Sequence, residues 1–124
     1  MRRFVIESWL LLLYIDWLMH VRGFRHAHTA VRRARVLPAS DKRHTSSELS
    51  YAVDLACVFY FKRVQCLQRS TAAAILLRWH GWKAELVIGA QLVPFQSHAW
   101  VEIEGAVVND KPYIGEMFAV LERC

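Results

Sequence analysis

Three residues in the second half of the chain could together perform acyl chemistry: Cys66, His98 and Asp110. A thiol that opens a helix faces the positive end of the helix dipole, which favours the thiolate. A neighbouring imidazole would form a thiolate–imidazolium pair with it, and a carboxylate on the far ring nitrogen would orient that imidazole and stabilise its charge. The three residue types therefore supply a nucleophile, a proton carrier and an orienting group.

The sequence SHAWVEIEGAVVND predicts a hairpin that brings His98 and Asp110 face to face. Pairing these residues across an antiparallel ladder leaves the three-residue loop 103–105, whose third residue is the glycine that such loops favour. A two-residue loop would shift the register by one and place Asp110 opposite Ala99, with its side chain on the other face. We therefore predict the three-residue loop and a contact between the imidazole and the carboxylate.

Each of the three residues also has an ordinary structural interpretation. A hairpin histidine is most often a satisfied polar group, a helical cysteine is most often a core residue, and an aspartate after a strand most often caps a turn. Their combination is what favours catalysis: a cysteine before a helix, a histidine opening a strand and an aspartate closing its hairpin partner.

No metal or nucleotide pattern competes with this interpretation. His26 and His28 form an H-x-H without a third ligand at useful spacing, and the cysteines lack the spacing of a zinc site. The sequence also has no glycine-rich phosphate loop. We therefore expect no metal and no cofactor.

The elements that must position these residues are helices followed by strands. Thr45-Ser-Ser-Glu48 has the form of a capping box, so a helix should begin there, with Cys57 on its apolar stripe. A second helix should start near Cys66 and end at Gly81, a C-terminal cap. The segments AELVIGAQLV, HAWVEI and AVVN then alternate like strands. This order predicts an α+β fold with a small antiparallel sheet.

The N-terminal segment MRRFVIESWLLLLYIDWLMHV is apolar but interrupted by two acids. Glu7 and Asp16 leave eight uncharged residues between them, against the ~20 that a bilayer core requires. They fall on opposite sides of a helix, so we predict a helix packed on its own domain and covered on most sides. Cover by a partner or a membrane surface, and a cleaved or spanning segment, are the alternatives left open.

Composition limits the classes of protein to which the chain can belong. The 124 residues are 55% hydrophobic, which predicts one folded domain: a helical extension over residues 1–45 and a core over 46–124. The net charge of +5 comes from scattered basic residues, so we expect no nucleic-acid partner. The arginines of residues 22–35 form either a solvated face or a docking surface. No disulfide framework is indicated, which favours a cytoplasmic protein.

The segments CLQRS, LLRWHGWKAELVIGA and PFQSHAWVEIEGAVVND resemble the transglutaminase-like cysteine peptidases that remove leader peptides in lasso-peptide biosynthesis. The resemblance covers about residues 49–112, including the separations between Cys66, His98 and Asp110. It implies a papain-like transglutaminase core in which these three residues form the catalytic triad.

By the same resemblance, the substrate is a ribosomal precursor peptide, cut between leader and core. A separate leader-recognition protein would deliver the precursor, and an asparagine-synthetase-like cyclase would close the ring. The length of the extension leads us to expect a stand-alone peptidase that needs this recognition partner. The alternatives are an acyltransferase, which passes the acyl group to an amine, and a non-catalytic scaffold for the cyclase.

Four further residues are candidates for the neighbourhood of the site. Gln65 is a candidate oxyanion donor beside the Cys66 backbone N–H. Arg69 and Ser70 belong to the family-like motif, where they would either cap and pack the helix or contact substrate. Trp100 would either shield the His98–Asp110 contact from water or fill the core.

Overall fold

Helices precede a four-stranded antiparallel sheet in the computed structural model of this chain. The structure describes residues 2–22, 29, 31–34, 46–61, 63–64, 66–92, 95–110 and 114–123. The helices are α1 (Arg2–Arg22), α2 (Ser46–Val58), α3 (Cys66–Trp79) and the short α4 (Ile114–Met117). The strands are β1 (Ala84–Leu92), β2 (Phe95–Ile103), β3 (Ala106–Val107) and β4 (Ala119–Arg123), in the spatial order β3-β2-β1-β4. The predicted α+β class is confirmed.

Helix α3 is the central element, because residues 70–77 along it are all buried. It begins at Cys66, as predicted. It ends at the predicted glycine cap, where Gly81 has a φ of 92°. The N–H of Trp82 donates to the carbonyl of Leu77 at 2.9 Å, and the N–H of Gly81 donates to that of Arg78 at 3.2 Å. These two bonds form a Schellman motif, which satisfies the last carbonyls of the helix.

The two faces of the sheet lie in different surroundings because side chains alternate along a strand. Ala99 and Val101 of β2, with Leu86 of β1, join the main core beneath the helices. Trp100 of β2 and Val87 of β1 lie in a smaller cluster on the opposite face, which is covered by Ile114 and Phe118. Since His98 alternates with Ala99, it shares the face of Trp100.

Helix α1 packs on α2 and α3 along one side only. Leu12 and Ile15 are fully buried in the main core. The carbonyl of Leu12 also accepts hydrogen bonds from Gln68 Nε2 at 2.9 Å and Tyr60 Oη at 3.4 Å. The other side carries six exposed large apolar residues, so the domain itself does not cover the helix on most sides, which leaves cover by a partner or a membrane surface as the alternative. The sequence shows where the two acids lie around α1, but it does not show which residues α1 contacts.

Several sequence predictions fall outside the described residues. Thr45 of the capping box is one, although α2 does begin at the next residue. His26, His28 and most of the basic stretch between α1 and α2 are others, apart from residues 31–33, which are helical.

Candidate active site

The turn between β2 and β3 differs from the predicted one. Glu102 pairs with Val107 and Ile103 with Ala106, which leaves the two-residue turn Glu104-Gly105. The φ angles are 51° at Glu104 and 82° at Gly105, and two positive values are what a type I′ turn requires. The predicted three-residue loop is therefore wrong. A glycine at 105 suits both loops, so it could not distinguish them.

His98 and Asp110 nevertheless meet, as predicted. Nε2 of His98 lies 2.6 Å from Oδ2 of Asp110, and both side chains are largely buried. A ladder continued in the observed register would have carried Asp110 to the other face. It does not, because β3 ends at Val107 and the chain bends through residues 108–110.

Asn109 is the residue that holds this bend. Its Oδ1 accepts the N–H of Val101 at 2.8 Å, in place of a backbone carbonyl of the ladder. Its Nδ2 donates to Ser70 Oγ at 3.0 Å, and its carbonyl accepts from Nη2 of Arg69 at 3.0 Å. Asn109 is buried, so each bond replaces one that water would otherwise make. These bonds fix the backbone from which Asp110 reaches His98.

The start of α3 occupies the edge of β2 that β3 leaves open. Ser70 Oγ donates to the carbonyl of Ala99 at 2.9 Å, and this carbonyl points to the same edge as the N–H of Val101. Cys66 is one helical turn before Ser70 and shares its helix face. The Cys66 thiol is partly buried and free of any disulfide.

Aromatic side chains pack against the imidazole of His98. The Phe118 ring is stacked on it, with centroids 5.4 Å apart and planes 24° apart. The Trp100 ring lies 6.2 Å from the imidazole and 6.3 Å from the Phe118 ring, so the three rings form one cluster. Gly89, which pairs with His98 on β1, makes room for both: a Cβ there would lie 2.8 Å from Trp100 Cη2 and 2.9 Å from Phe118 Cβ.

Behind the imidazole, Trp100 is fixed by a buried carboxylate. Its Nε1 donates to Oε2 of Glu102 at 2.8 Å, and Nη1 of Arg123 donates to Oε1 of Glu102 at 2.7 Å. Burial raises the pKa of Glu102, but the hydrogen bonds from Arg123 and Trp100 outweigh it, so the pKa lies below its ordinary value. Arg123 belongs to β4, so this network also ties the edge strand to the site.

The second described cysteine, Cys57, is a poor nucleophile. Burial raises the pKa of its thiol to about 11, so it stays protonated at neutral pH. It packs against the main core, as its position on the apolar stripe of α2 predicts.

The other predicted site residues have structural contacts. Arg69 forms an ion pair of 3.1 Å with Asp54 of α2, in addition to its bond to Asn109. Burial raises the pKa of Asp54, and Arg69 opposes that shift. Ser70 is fully buried between α3 and β2, and Trp100 is fully buried beside His98. Gln65, the candidate oxyanion donor, lies outside the described residues.

Sequence reasoning missed Asn109, Phe118 and the role of Gly89. An asparagine directly after two valines is a signal that a strand stops, and a glycine inside a strand is a signal of close approach. Phe118 carried no local signal, because its partner is 20 residues away in sequence. Within the described ranges, no group of three or more His, Cys, Asp or Glu side chains could hold a metal ion.

Comparison with known proteins gives one family and one curated relative. A family model of the transglutaminase-like superfamily matches residues 9–123. The chain is 28% identical over 123 residues to the microcin J25-processing protein McjB of Escherichia coli, a match that covers 97% of this chain. The chain spans 57% of that protein's length. No solved structure matches.

Proposed function

The chain belongs to the transglutaminase-like superfamily, and from this premise we propose that it is a cysteine peptidase that removes the leader from a lasso-peptide precursor in the cytoplasm. The observation that carries the proposal is the 2.6 Å contact between His98 Nε2 and Asp110 Oδ2, beside a helix that begins with Cys66. The similarity to a protein that processes microcin J25 supports a precursor peptide as substrate.

The contact with Asp110 gives each ring nitrogen of His98 a different role. Because the carboxylate occupies Nε2, Nδ1 is the nitrogen that exchanges a proton with the thiol. Asp110 holds the ring in this orientation and stabilises the imidazolium. The Cys66 thiolate then faces the first-turn N–H groups of α3, which favour negative charge.

Cleavage proceeds in two steps. The Cys66 thiolate forms a bond to the scissile carbonyl carbon, and the tetrahedral intermediate collapses when the C–N bond breaks and His98 gives its proton to the leaving amine. Water then attacks the thioester while His98 accepts a proton, and the C–S bond breaks to release the leader carboxylate. The products are free leader and a core peptide with a free N-terminal amine.

The tetrahedral oxyanion needs hydrogen-bond donors. The backbone N–H of Cys66 is the first, and Gln65 is the candidate for the second. Loss of one such donor typically raises the barrier by ~3 kcal/mol.

Two partners complete the proposal. A separate leader-recognition protein presents the precursor, and an asparagine-synthetase-like cyclase closes the ring on the amine that cleavage releases. No cofactor takes part in the steps above.

The proposal is tested by mass spectrometry of the reaction products. The purified chain, a precursor peptide and the recognition protein should give free leader and free core. Cys66→Ala should abolish both products, whereas Cys57→Ala, the matched control, should retain them because the Cys57 thiol is protonated at neutral pH. A leader–amine adduct would instead identify an acyltransferase. If cleavage persisted in the Cys66→Ala variant, the catalytic role of Cys66 would be refuted. The remaining alternative would be a non-catalytic scaffold for the cyclase.

A further inference from the structure

Six large apolar side chains form a continuous exposed surface on α1, which we call the α1 stripe: Ile6, Leu10, Leu13, Tyr14, Trp17 and Val21. They are between 39% and 60% exposed. At about 100° per residue they fall within an arc of about 100°, and they extend over about 22 Å of helix. Tyr14 and Trp17 stack on each other within the stripe, with centroids 6.4 Å apart. The stripe therefore needs a partner that accepts a long, narrow apolar surface.

Both acids of α1 are bound to the protein and lie off this stripe. Glu7 Oε2 lies 3.4 Å from Nε2 of His80, and Asp16 Oδ2 accepts a hydrogen bond from Tyr60 Oη at 3.0 Å. The charges that interrupt the apolar sequence of α1 are thus used for contacts within the domain. The exposed stripe carries no negative charge.

Positive charge accompanies the stripe. Arg3 is exposed on the same helix face, one turn before Ile6. The chain beyond α1 carries arginines and no acid before Asp41; among them, Arg32 and Arg33 are exposed. An apolar surface with an exposed arginine at one end, on a chain of net charge +5, is complementary to a negatively charged partner.

We propose that the α1 stripe binds the surface of an anionic phospholipid bilayer, with α1 lying in the plane of the interface. Tyrosine and tryptophan favour the boundary between headgroups and acyl chains, and aliphatic side chains beside them enter the boundary without leaving a charge in it. Arg3, one turn before the stripe, reaches the phosphates. This combination favours a lipid surface over an acidic protein, whose interface would present few aliphatic groups to match the stripe.

The opposite side of α1 shows why the helix lies on the membrane and does not cross it. By length and composition the segment Arg3–Val21 could span a bilayer. Crossing would separate Leu12 and Ile15 from the main core and break the hydrogen bonds from Gln68 and Tyr60 to the Leu12 carbonyl. Lying on the surface leaves all of these contacts in place.

The test is sedimentation of the purified full chain with vesicles. It should bind vesicles of mixed phosphatidylcholine and phosphatidylglycerol, bind pure phosphatidylcholine much less, and dissociate as salt is raised. Leu10→Ser combined with Trp17→Ser should weaken binding roughly tenfold or more. Val58→Ser combined with Phe59→Ser, which removes two still more exposed apolar side chains at and just after the end of α2, should leave it unchanged. Circular dichroism would show that each variant is folded.

Two results would overturn the proposal. One is a folded chain that fails to bind anionic vesicles, or that binds them equally well without Leu10 and Trp17. The other is a dimer in solution that the Leu10→Ser/Trp17→Ser variant converts to a monomer, which would identify a second copy of the chain as the occupant. Neither result would bear on cleavage of a soluble precursor, so the proposed peptidase activity is tested separately.

Discussion

The two nitrogens of His98 have different surroundings, and the proposed chemistry depends on that difference. Nε2 is held by Asp110, while the Phe118 and Trp100 rings pack against the imidazole. The carboxylate fixes which ring nitrogen exchanges the proton, and the two aromatic rings restrict the tilt of the imidazole. Two substitutions separate these contributions.

Asp110→Asn should lower kcat by about 10²–10⁴-fold. The amide can still hydrogen-bond to the ring, but it cannot stabilise an imidazolium. KM should change little, because Asp110 contacts His98 and not the substrate. Steady-state kinetics on a precursor peptide would measure both. Glu7→Gln is the matched control, since it removes the carboxylate of another histidine pair far from Cys66; an equal loss in both variants would argue against a role in orienting His98.

Phe118→Leu should lower kcat about 2–10-fold, the loss expected for one aromatic stacking contact. Phe118 is a positioning residue, so KM should stay nearly constant, and Phe118→Tyr should restore the rate because it restores the planar ring. The C–H resonances of the His98 ring should also shift in NMR spectra when the Phe118 ring current is removed. Unchanged resonances and an unchanged rate in the leucine variant would show that the stacking does not hold the imidazole.

At the scale of elements, the hairpin shows what could and could not be predicted from sequence. The strands and the helix that starts at Cys66 were predictable, because periodicity and residue type are local signals. The His98–Asp110 contact was predicted from a register that is wrong, and it forms for another reason, the bend at Asn109. The register was not predictable, because a glycine at position 105 suits both the two-residue turn and the three-residue loop. The bend that returns Asp110 to the face of His98 depends on Ser70 and Arg69, which are distant in sequence.

Glu104→Asn should raise the free energy of unfolding by about 0.5–1 kcal/mol, because asparagine tolerates the left-handed conformation that Glu104 adopts. Urea denaturation would measure the change. Glu104→Gln is the control: it removes the same charge without favouring positive φ, and it should have no comparable effect. In a three-residue turn over residues 103–105, asparagine at position 104 would not raise the free energy of unfolding. Equal stability of the Glu104→Asn and Glu104→Gln variants would therefore contradict the observed register.

The N-terminal helix illustrates a second limit of the sequence. The spacing of Glu7 and Asp16 indicated that α1 has no broad polar face. In the structure, the exposed side of α1 is indeed an apolar stripe. It could not indicate that each acid has a partner inside the domain, His80 and Tyr60, which lie far along the chain. Because these contacts hold both acids against the domain, the apolar side chains of the stripe face outward.

At the scale of the whole molecule, the Glu102 network joins the central strand β2 to the edge strand β4. The pKa of Glu102 lies below its ordinary value of 4.5 in the folded chain. A carboxyl whose pKa is lowered by folding stabilises the folded state when it is ionised. That stabilisation is present above the ordinary pKa and is lost as the pH falls below it.

Glu102→Gln should therefore be less stable than the natural chain at neutral pH, and the difference should shrink as the pH falls below about 4.5. Urea denaturation at a series of pH values would measure it. Glu85→Gln is the matched control, because Glu85 is also near Arg123, at 3.9 Å, but is half exposed. A stability difference for Glu102→Gln that does not depend on pH would show that packing, and not ionisation, accounts for its role.

The bonds of Asn109 also have a consequence for the order of folding. They join residues 39 and 40 positions apart, so they can form only after helix α3 and the β2–β3 hairpin have been brought together, which costs loop-closure entropy. Synthesis delivers the thiol first, the imidazole later and the carboxylate last. Until Asn109 docks, a nascent or partly folded chain has a cysteine and a histidine but no means of orienting them. Under the proposed function, a chain would become competent for cleavage only once Asn109 has docked and Asp110 can orient His98.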